Sequence, residues 1–343
     1  MSVSRLSAQL WCEILFLCPH STTIVFALIC RNFRAFADRI LYRKVRLSYH
    51  RALLFFRTLH GQPALGKHVR LLHLHRAESV RHEGPEFEAA LSCMKQLHSL
   101  HIMCPIDVKA LVNCLRTPLR TFTYGLPSCD TFHRFLVQQP YITSICLHHR
   151  LNREPSSWFL PMLEKVEALS EDLADLIVGA PVRRLKFRYQ PAERVTQPVV
   201  PPIFFHLSAV PIVHVECMAC QLVDHDQLDI YLPHLETLVV SQDITWGDRL
   251  ESNAYSRLAN DLAGKLTRLP NLVLFIVVTD LGSPQAHRFC QALRRHCRAP
   301  RLGEFVFHTH NKCFRWSDFR LVDSTPTERL LIDCISHCAA DLV

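Results

Sequence analysis

A chain of 343 residues has room for two or three domains and a large buried core. Its 39 Lys and Arg against 31 Asp and Glu leave a net charge of +8, too mild for a dedicated nucleic-acid binder. Nine glycines, with no Gly-x-Gly-x-x-Gly and no Gly-Lys-Ser/Thr, argue against a nucleotide enzyme, because phosphate-cradling loops need glycine where backbone N–H groups approach the ligand.

The N-terminal segment predicts three helices. Leu6, Leu10, Ile14 and Leu17 form one stripe of the first, and Pro19, His20 and Ser21 break it. Ser21 is the expected N-cap of a second helix striped by Ile24, Val25 and Leu28. Phe33, Ala37, Ile40 and Leu41 stripe a third, whose other face carries Arg31, Arg34, Arg39 and Arg43. From Leu6 to Cys30, 17 of 25 residues are apolar, counting Ala and Cys. A helix apolar on several faces needs cover on several faces, and a segment this short cannot cover itself. One face is expected to pack on the rest of the chain and another to meet a partner protein.

The spacing L-x-x-x-L-x-x-x-I-L-x-x-L-x-P, then I-V-x-x-L-x-C-R-x-F and I-L-Y-R-x-V, resembles an F-box of the version common in fungi. It runs through Leu6, Leu10, Ile14, Leu15, Leu17, Pro19, Ile24, Val25, Leu28, Cys30, Arg31, Phe33, Leu41 and Tyr42, and Ser7 stands where the family usually has proline. The resemblance covers residues 1–47. It implies a domain that docks on a Skp-type adaptor in a cullin complex, with Leu6, Leu10, Ile14, Pro19, Ile24, Val25 and Leu28 as the adaptor-binding residues.

After Leu47 one phrase recurs, apolar-x-x-apolar-x-apolar. It occurs at Val69/Leu72/Leu74, Leu97/Leu100/Ile102, Leu119/Phe122/Tyr124, Ile142/Ile145/Leu147 and Leu163/Val166/Ala168. It returns at Val182/Leu185/Phe187, Ile212/Val215/Cys217, Leu235/Leu238/Val240, Leu272/Phe275/Val277 and Leu302/Phe305/Phe307. One such hexad means little, but most of these lie near the ~20–29 residue period of leucine-rich repeats, and several follow a proline. Helix-like runs fall between them at Asp107–Arg116, Ser170–Val178 and Pro284–Cys297. The pattern resembles a divergent leucine-rich-repeat solenoid over residues 48–312, its parallel strands alternating with helices and its fourth and sixth hexad positions buried. The family's Asn or Cys after the hexad is mostly missing. An ordinary α/β domain with several βα units is the alternative.

Pro191–Pro202 reads as an exposed extended loop, and Gln242–Arg268 as an insertion with a helix near Tyr255–Leu266. Residues 313–343 are expected to hold an edge strand or hairpin at Phe314–Val322 and a capping helix at Thr327–Leu342. The fold class is thus α/β, with a three-helix F-box-like start and a repeat domain behind it.

Catalytic and metal signatures are weak. His214, Cys217, Cys220 and His225 have zinc-like residue types, but Cys217 occupies an inward hexad position and a second Cys-x-x-Cys is missing. His287, Cys290, His296 and Cys297, and His308, His310 and Cys313, read as core thiols beside solvated histidines. The sequence has no His-Glu-x-x-His and no Gly-x-Ser-x-Gly. The reading is therefore of a non-enzyme without a cofactor or metal. Basic runs at Arg31–Arg46, Arg183–Arg188 and Arg294–Arg301 lack interleaved stacking aromatics and read as solvated faces, so no nucleic acid is expected. Fifteen cysteines off any spaced framework suit reduced thiols, and Glu13 interrupts a would-be signal core. The chain is expected in the cytoplasm or nucleus and not in a membrane.

Alternation along the strands turns hexad positions 3, 5 and 7 to the concave face. The target-binding residues expected there are His73, His75, His101, Met103, His148, Arg184, Lys186, Arg188, His214 and Glu216, followed by the apolar Val239, Leu274, Ile276 and Val278. That face is expected to be basic and histidine-rich, with the 21 histidines adding charge in mild acid. The function implied is a substrate-recognition subunit of a Skp-cullin-F-box ubiquitin ligase holding an unidentified protein target. A non-ligase scaffold, and after it an enzyme or metal-binding domain, are the alternatives.

Overall fold

The structure is a computed structural model that describes residues 7–29, 31–75, 85–106, 108–127, 130–149, 160–188, 205–218, 228–241, 252–278, 283–308, 312–317 and 320–326. The chain divides into two compact units, Met1–Leu163 and Glu164–Val343.

The first unit begins with α1 (Ala8–Leu17), α2 (His20–Ile29) and α3 (Arg31–Leu41). Ser7 is the N-cap of α1. Its backbone is extended and its hydroxyl accepts the Leu10 N–H at 3.2 Å, which suits serine at a position where proline was expected. The second helix starts at His20, one residue before the expected cap, and the Pro19 carbonyl accepts the Thr23 N–H at 3.1 Å. Ser21 therefore lies inside the first turn. Thr23 is buried, and its hydroxyl donates towards the carbonyls of Leu15 and Pro19. Phe33 of α3 joins the three helices, meeting Trp11 edge-on at 4.6 Å and Phe26 at 5.6 Å.

The strand–helix repeat follows. In chain order it comprises β1 (Lys44–Leu47), α4 (Tyr49–Gly61), a 3₁₀ turn (Pro63–His68), β2 (Leu71–Leu74), α5 (Pro85–Cys93), β3 (Ser99–Ile102), α6 (Val108–Cys114), β4 (Thr121–Tyr124), α7 (Asp130–Val137) and β5 (Ser144–Leu147). All neighbouring strands pair parallel. Parallel pairing needs a crossover, and the helices supply it. Val45, Leu72, Leu100, Phe122 and Ile145 stand in one register row, and Leu47, Leu74, Ile102, Tyr124 and Leu147 in the next. The expected domain boundary after Leu47 falls behind β1, whose Tyr42-x-x-Val45-x-Leu47 is one more copy of the repeat phrase.

The second unit runs β6 (Lys165–Leu169), α8 (Ser170–Ile177), β7 (Arg184–Arg188), β8 (His214–Met218), α9 (Leu228–Tyr231), β9 (Thr237–Ser241), α10 (Ser252–Thr267), β10 (Leu274–Val278), α11 (Ser283–His296) and β11 (Glu304–His308). These strands also pair parallel, with Val166, Leu185, Val215, Leu238, Phe275 and Phe305 in one row. The chain then reverses into β12 (Lys312–Ser317) and β13 (Arg320–Pro326), an antiparallel pair added to β11. Past the end of α8, Gly179 takes φ 70°, a left-handed conformation that glycine adopts without Cβ strain.

All ten hexads fold as read. Their fourth and sixth positions are buried, and so is the first, which sits in the turn before each strand. In that turn the carbonyl of the second position accepts the N–H of two successive residues from the next repeat. Arg43 O, for example, receives Arg70 N at 3.0 Å and Leu71 N at 3.1 Å, and Arg183 O receives Val213 N at 2.9 Å and His214 N at 3.1 Å. This repeated three-centre contact satisfies turn donors without the missing asparagine. Aromatic packing fills the cores, with Phe122, Phe132 and Phe135 in the first unit and Phe275, Phe289, Phe305 and Phe307 in the second. The expected loop at 191–202, the first part of the insertion at 242–251 and the capping helix at 327–342 lie outside the described residues. Among the described residues no helix is long and apolar enough to cross a membrane.

Candidate functional site

Two surfaces stand out, one on the N-terminal helices and one on the strand face opposite the core. On α1 the fully buried residue is Leu15, with Trp11, Cys12 and Ile14 half-buried. On α2 the buried side chain is Thr23, a polar group. Because the helices face inward through Leu15, Thr23 and Phe33, most of their large apolar side chains point to solvent. Leu17 is 84% exposed, Leu28 81% and Ile29 72%, and Phe16, Val25, Ile24 and Leu10 are exposed as well. Of the residues singled out from sequence, Leu10, Pro19, Ile24, Val25 and Leu28 are exposed, Ile14 is half-buried, and Leu6 lies outside the described residues. The adaptor-binding set left out Phe16 and Ile29, and also Leu17, which the sequence had placed on the first stripe. An all-round apolar helix does not reveal which side faces in, and here Leu15 decides it.

The strand face alternates as expected. His73, His101, Met103, His148, Arg184, Lys186, Arg188, His214 and Glu216 are half-exposed, and His75 is exposed. In the first unit Arg46, His73 and His101 occupy one register row. The rings of His73 and His75 stack at 4.1 Å, and those of His73 and His101 lie 5.2 Å apart. The Ser99 hydroxyl is 3.0 Å from His101 Nε2. Burial, then the neighbouring His75, His101 and Arg46, pushes His73 down to about 4. Burial and Arg46 lower His101. His73 is therefore neutral at pH 7 and resists charging even in mild acid, contrary to the expectation that it adds positive charge.

In the second unit the expected basic face is largely compensated. Glu167, Lys186 and Glu216 stand side by side on β6, β7 and β8. Lys186 Nζ is 2.8 Å from Glu216 Oε1 and 3.9 Å from Glu167 Oε1, and Arg188 donates to Glu167 at 2.9 Å. Burial opposes the Lys186 charge. The Glu216 hydrogen bond and the two carboxylates outweigh it and hold the lysine above its ordinary pKa. Glu167 was missed although it occupies the fifth position of its hexad. His214 is driven down to about 4, chiefly by burial, with Glu216 opposing and Arg184 and two lysines adding. The later strands are apolar on this face at Val239, Leu274, Ile276 and Val278.

The Cys/His clusters do not assemble in the described residues. His214 is half-exposed while Cys217 is buried on the opposite face, and Cys220 and His225 lie outside. Cys297 is buried and its thiol raised by burial, whereas His296 is exposed. His308 and Cys313 are buried with Nε2 and Sγ 3.9 Å apart. Among the described residues no group of three or more His, Cys, Asp or Glu is placed to hold a metal ion. Nine of the described cysteines are free thiols.

No protein-family model matches the chain, and no curated protein matches it. Among solved structures, the leucine-rich repeat-containing protein LegL7 from Legionella pneumophila is similar, with a TM-score of 0.42 and 15% identity over 68% of this chain and 84% of that one. The strand–helix repeat is shown by the parallel register and the buried hexad positions of the chain itself.

Proposed function

We propose that the chain is a substrate-recognition subunit of a Skp-cullin-F-box type ubiquitin ligase. The observation that carries this reading is the uncovered apolar surface of α1 and α2, centred on Leu17, Val25, Leu28 and Ile29. A monomer gains nothing by leaving such a cluster in water, at roughly 25 cal/mol per Å² of apolar surface. An adaptor helix pair covering it explains why the helices bury so little of their own apolar content. The strand faces then hold a protein target, the charge-paired rows of β6–β8 meeting a polar stretch and the Val239–Ile276 rows an apolar one. The receptor performs no chemistry. It raises the effective concentration of target lysines near the charged conjugating enzyme.

Co-purification of the full chain with a Skp-type adaptor tests this. Leu10→Asp with Ile24→Asp should abolish capture while the circular-dichroism melt stays within a few degrees of the parent. Failure of the folded parent to bind would refute the adaptor assignment. Ubiquitylation of a captured target separates a ligase subunit from a scaffold.

A further inference from the structure

Beside the adaptor surface, and sharing Leu17 with it, the first unit has a cationic groove whose charged side the receptor reading does not use. A groove of about 800 Å³ lies between α1, the end of α3, the 3₁₀ turn and the start of β2. Arg39, Arg43, Lys67 and Arg70 line it against the single carboxylate of Glu13. Phe16 and Leu17 of α1 supply its apolar wall. No ion pair neutralises these four cations among the described residues, whereas the nearby Arg34 is 4.0 Å from Asp38.

The cationic character continues along the sheet. Arg43, Arg70, His98 and Arg120 are the second-position residues of four successive repeats, each tied by its carbonyl to the next. Arg70, His98 and Arg120 are exposed. Two histidines register the resulting field. After burial, Lys67 and Arg39 lower His68, and Arg70, Arg120, Arg43 and Lys44 lower His98. Both imidazoles are held below their ordinary value, first by burial and then by these cations.

We propose that this groove docks an acidic polypeptide segment bearing an apolar side chain, its carboxylates meeting Arg39, Arg43, Lys67 and Arg70 and its apolar residue meeting Phe16 and Leu17. Guanidinium groups favour bidentate pairing with carboxylates. A single-stranded nucleic acid fits less well, since it needs open aromatic platforms, and the Phe16 ring is already covered by the Arg43 guanidinium at 5.3 Å. The proposal does not depend on the adaptor reading, because its probe is a synthetic peptide.

The test is fluorescence anisotropy of the full chain with a labelled peptide of alternating Glu and Asp around one central Leu. Saturable binding is expected at low salt, weakening as salt rises. Arg39→Glu with Lys67→Glu, both at exposed positions, should weaken it at least tenfold. Arg120→Glu, further along the row, gives an independent second variant with a smaller loss. Replacing the central Leu with Ser should also weaken binding. The proposal is overturned if the parent does not bind, if the double variant binds as the parent does, or if oligothymidylate or phosphatidylserine vesicles of matched charge bind as tightly as the peptide.

Discussion

His73 and His214 show how neighbours set the chemistry of one side chain. Both are held near 4, so both are neutral in the folded chain across the physiological range. In the unfolded chain an imidazole titrates near 6.5. The unfolded state therefore takes up protons as pH falls below about 6.5, while the folded state does so only near 4. The stability associated with these sites is fully present above 6.5 and is lost progressively between 6.5 and about 4. The urea midpoint should fall between pH 7 and pH 4.5, and His214→Gln should shrink that fall. An unchanged pH dependence in the variant would contradict the burial of a neutral His214. Lys186 is the converse case. Its ordinary surroundings in sequence, Arg184 and Arg188, suggested a free cation, but Glu167 and Glu216 come from other strands at the same register. Residues about 20 and 30 positions away decided its state, and Glu167 was legible all the same, as the fifth hexad position.

Among the elements, the strands were the most legible because their signal is local. A buried first, fourth and sixth position every few tens of residues places each strand, and the ten phrases read from sequence are ten of the strands observed. The strand at Lys44–Leu47 escaped because its phrase overlaps the end of the F-box-like string, where Tyr42 and Val45 already had another reading. The orientation of α1 was not legible, since Leu10, Ile14, Leu15, Phe16 and Leu17 all satisfy a hydrophobic pattern and only the packed fold buries Leu15 among them. The basic groove was equally hidden, being assembled from α1, α3, the 3₁₀ turn and β2. That turn offers a sharp test of packing. A Cβ on Gly66 meets the backbone carbonyl of Cys93 at 2.8 Å from oxygen and 2.9 Å from carbon, with Cys93 Sγ closer still. Backbone cannot yield as a flexible side chain does. Gly66→Ala should cost about 1–3 kcal/mol in urea unfolding, and a loss below about 0.5 kcal/mol would mean that the turn and α5 are not in contact there.

At the scale of the whole molecule, each unit stacks repeats whose neighbours supply one another's core, and this local stacking tolerates irregular spacing between phrases. What the repeats do not explain is the N-terminal helix trio, which packs through Leu15, Thr23 and Phe33 and turns Leu17, Val25, Leu28 and Ile29 outward. Our proposal is that a partner protein covers this apolar surface. The most direct measurement is calorimetric titration of a purified Skp-type adaptor into the full chain, repeated at several temperatures. The account predicts saturable one-to-one binding with a negative heat-capacity change from apolar burial, abolished by Leu17→Asp with Leu28→Asp in a variant that melts as the parent does. A folded parent that gives no binding heat at any temperature, or a double variant that binds unchanged, would contradict it.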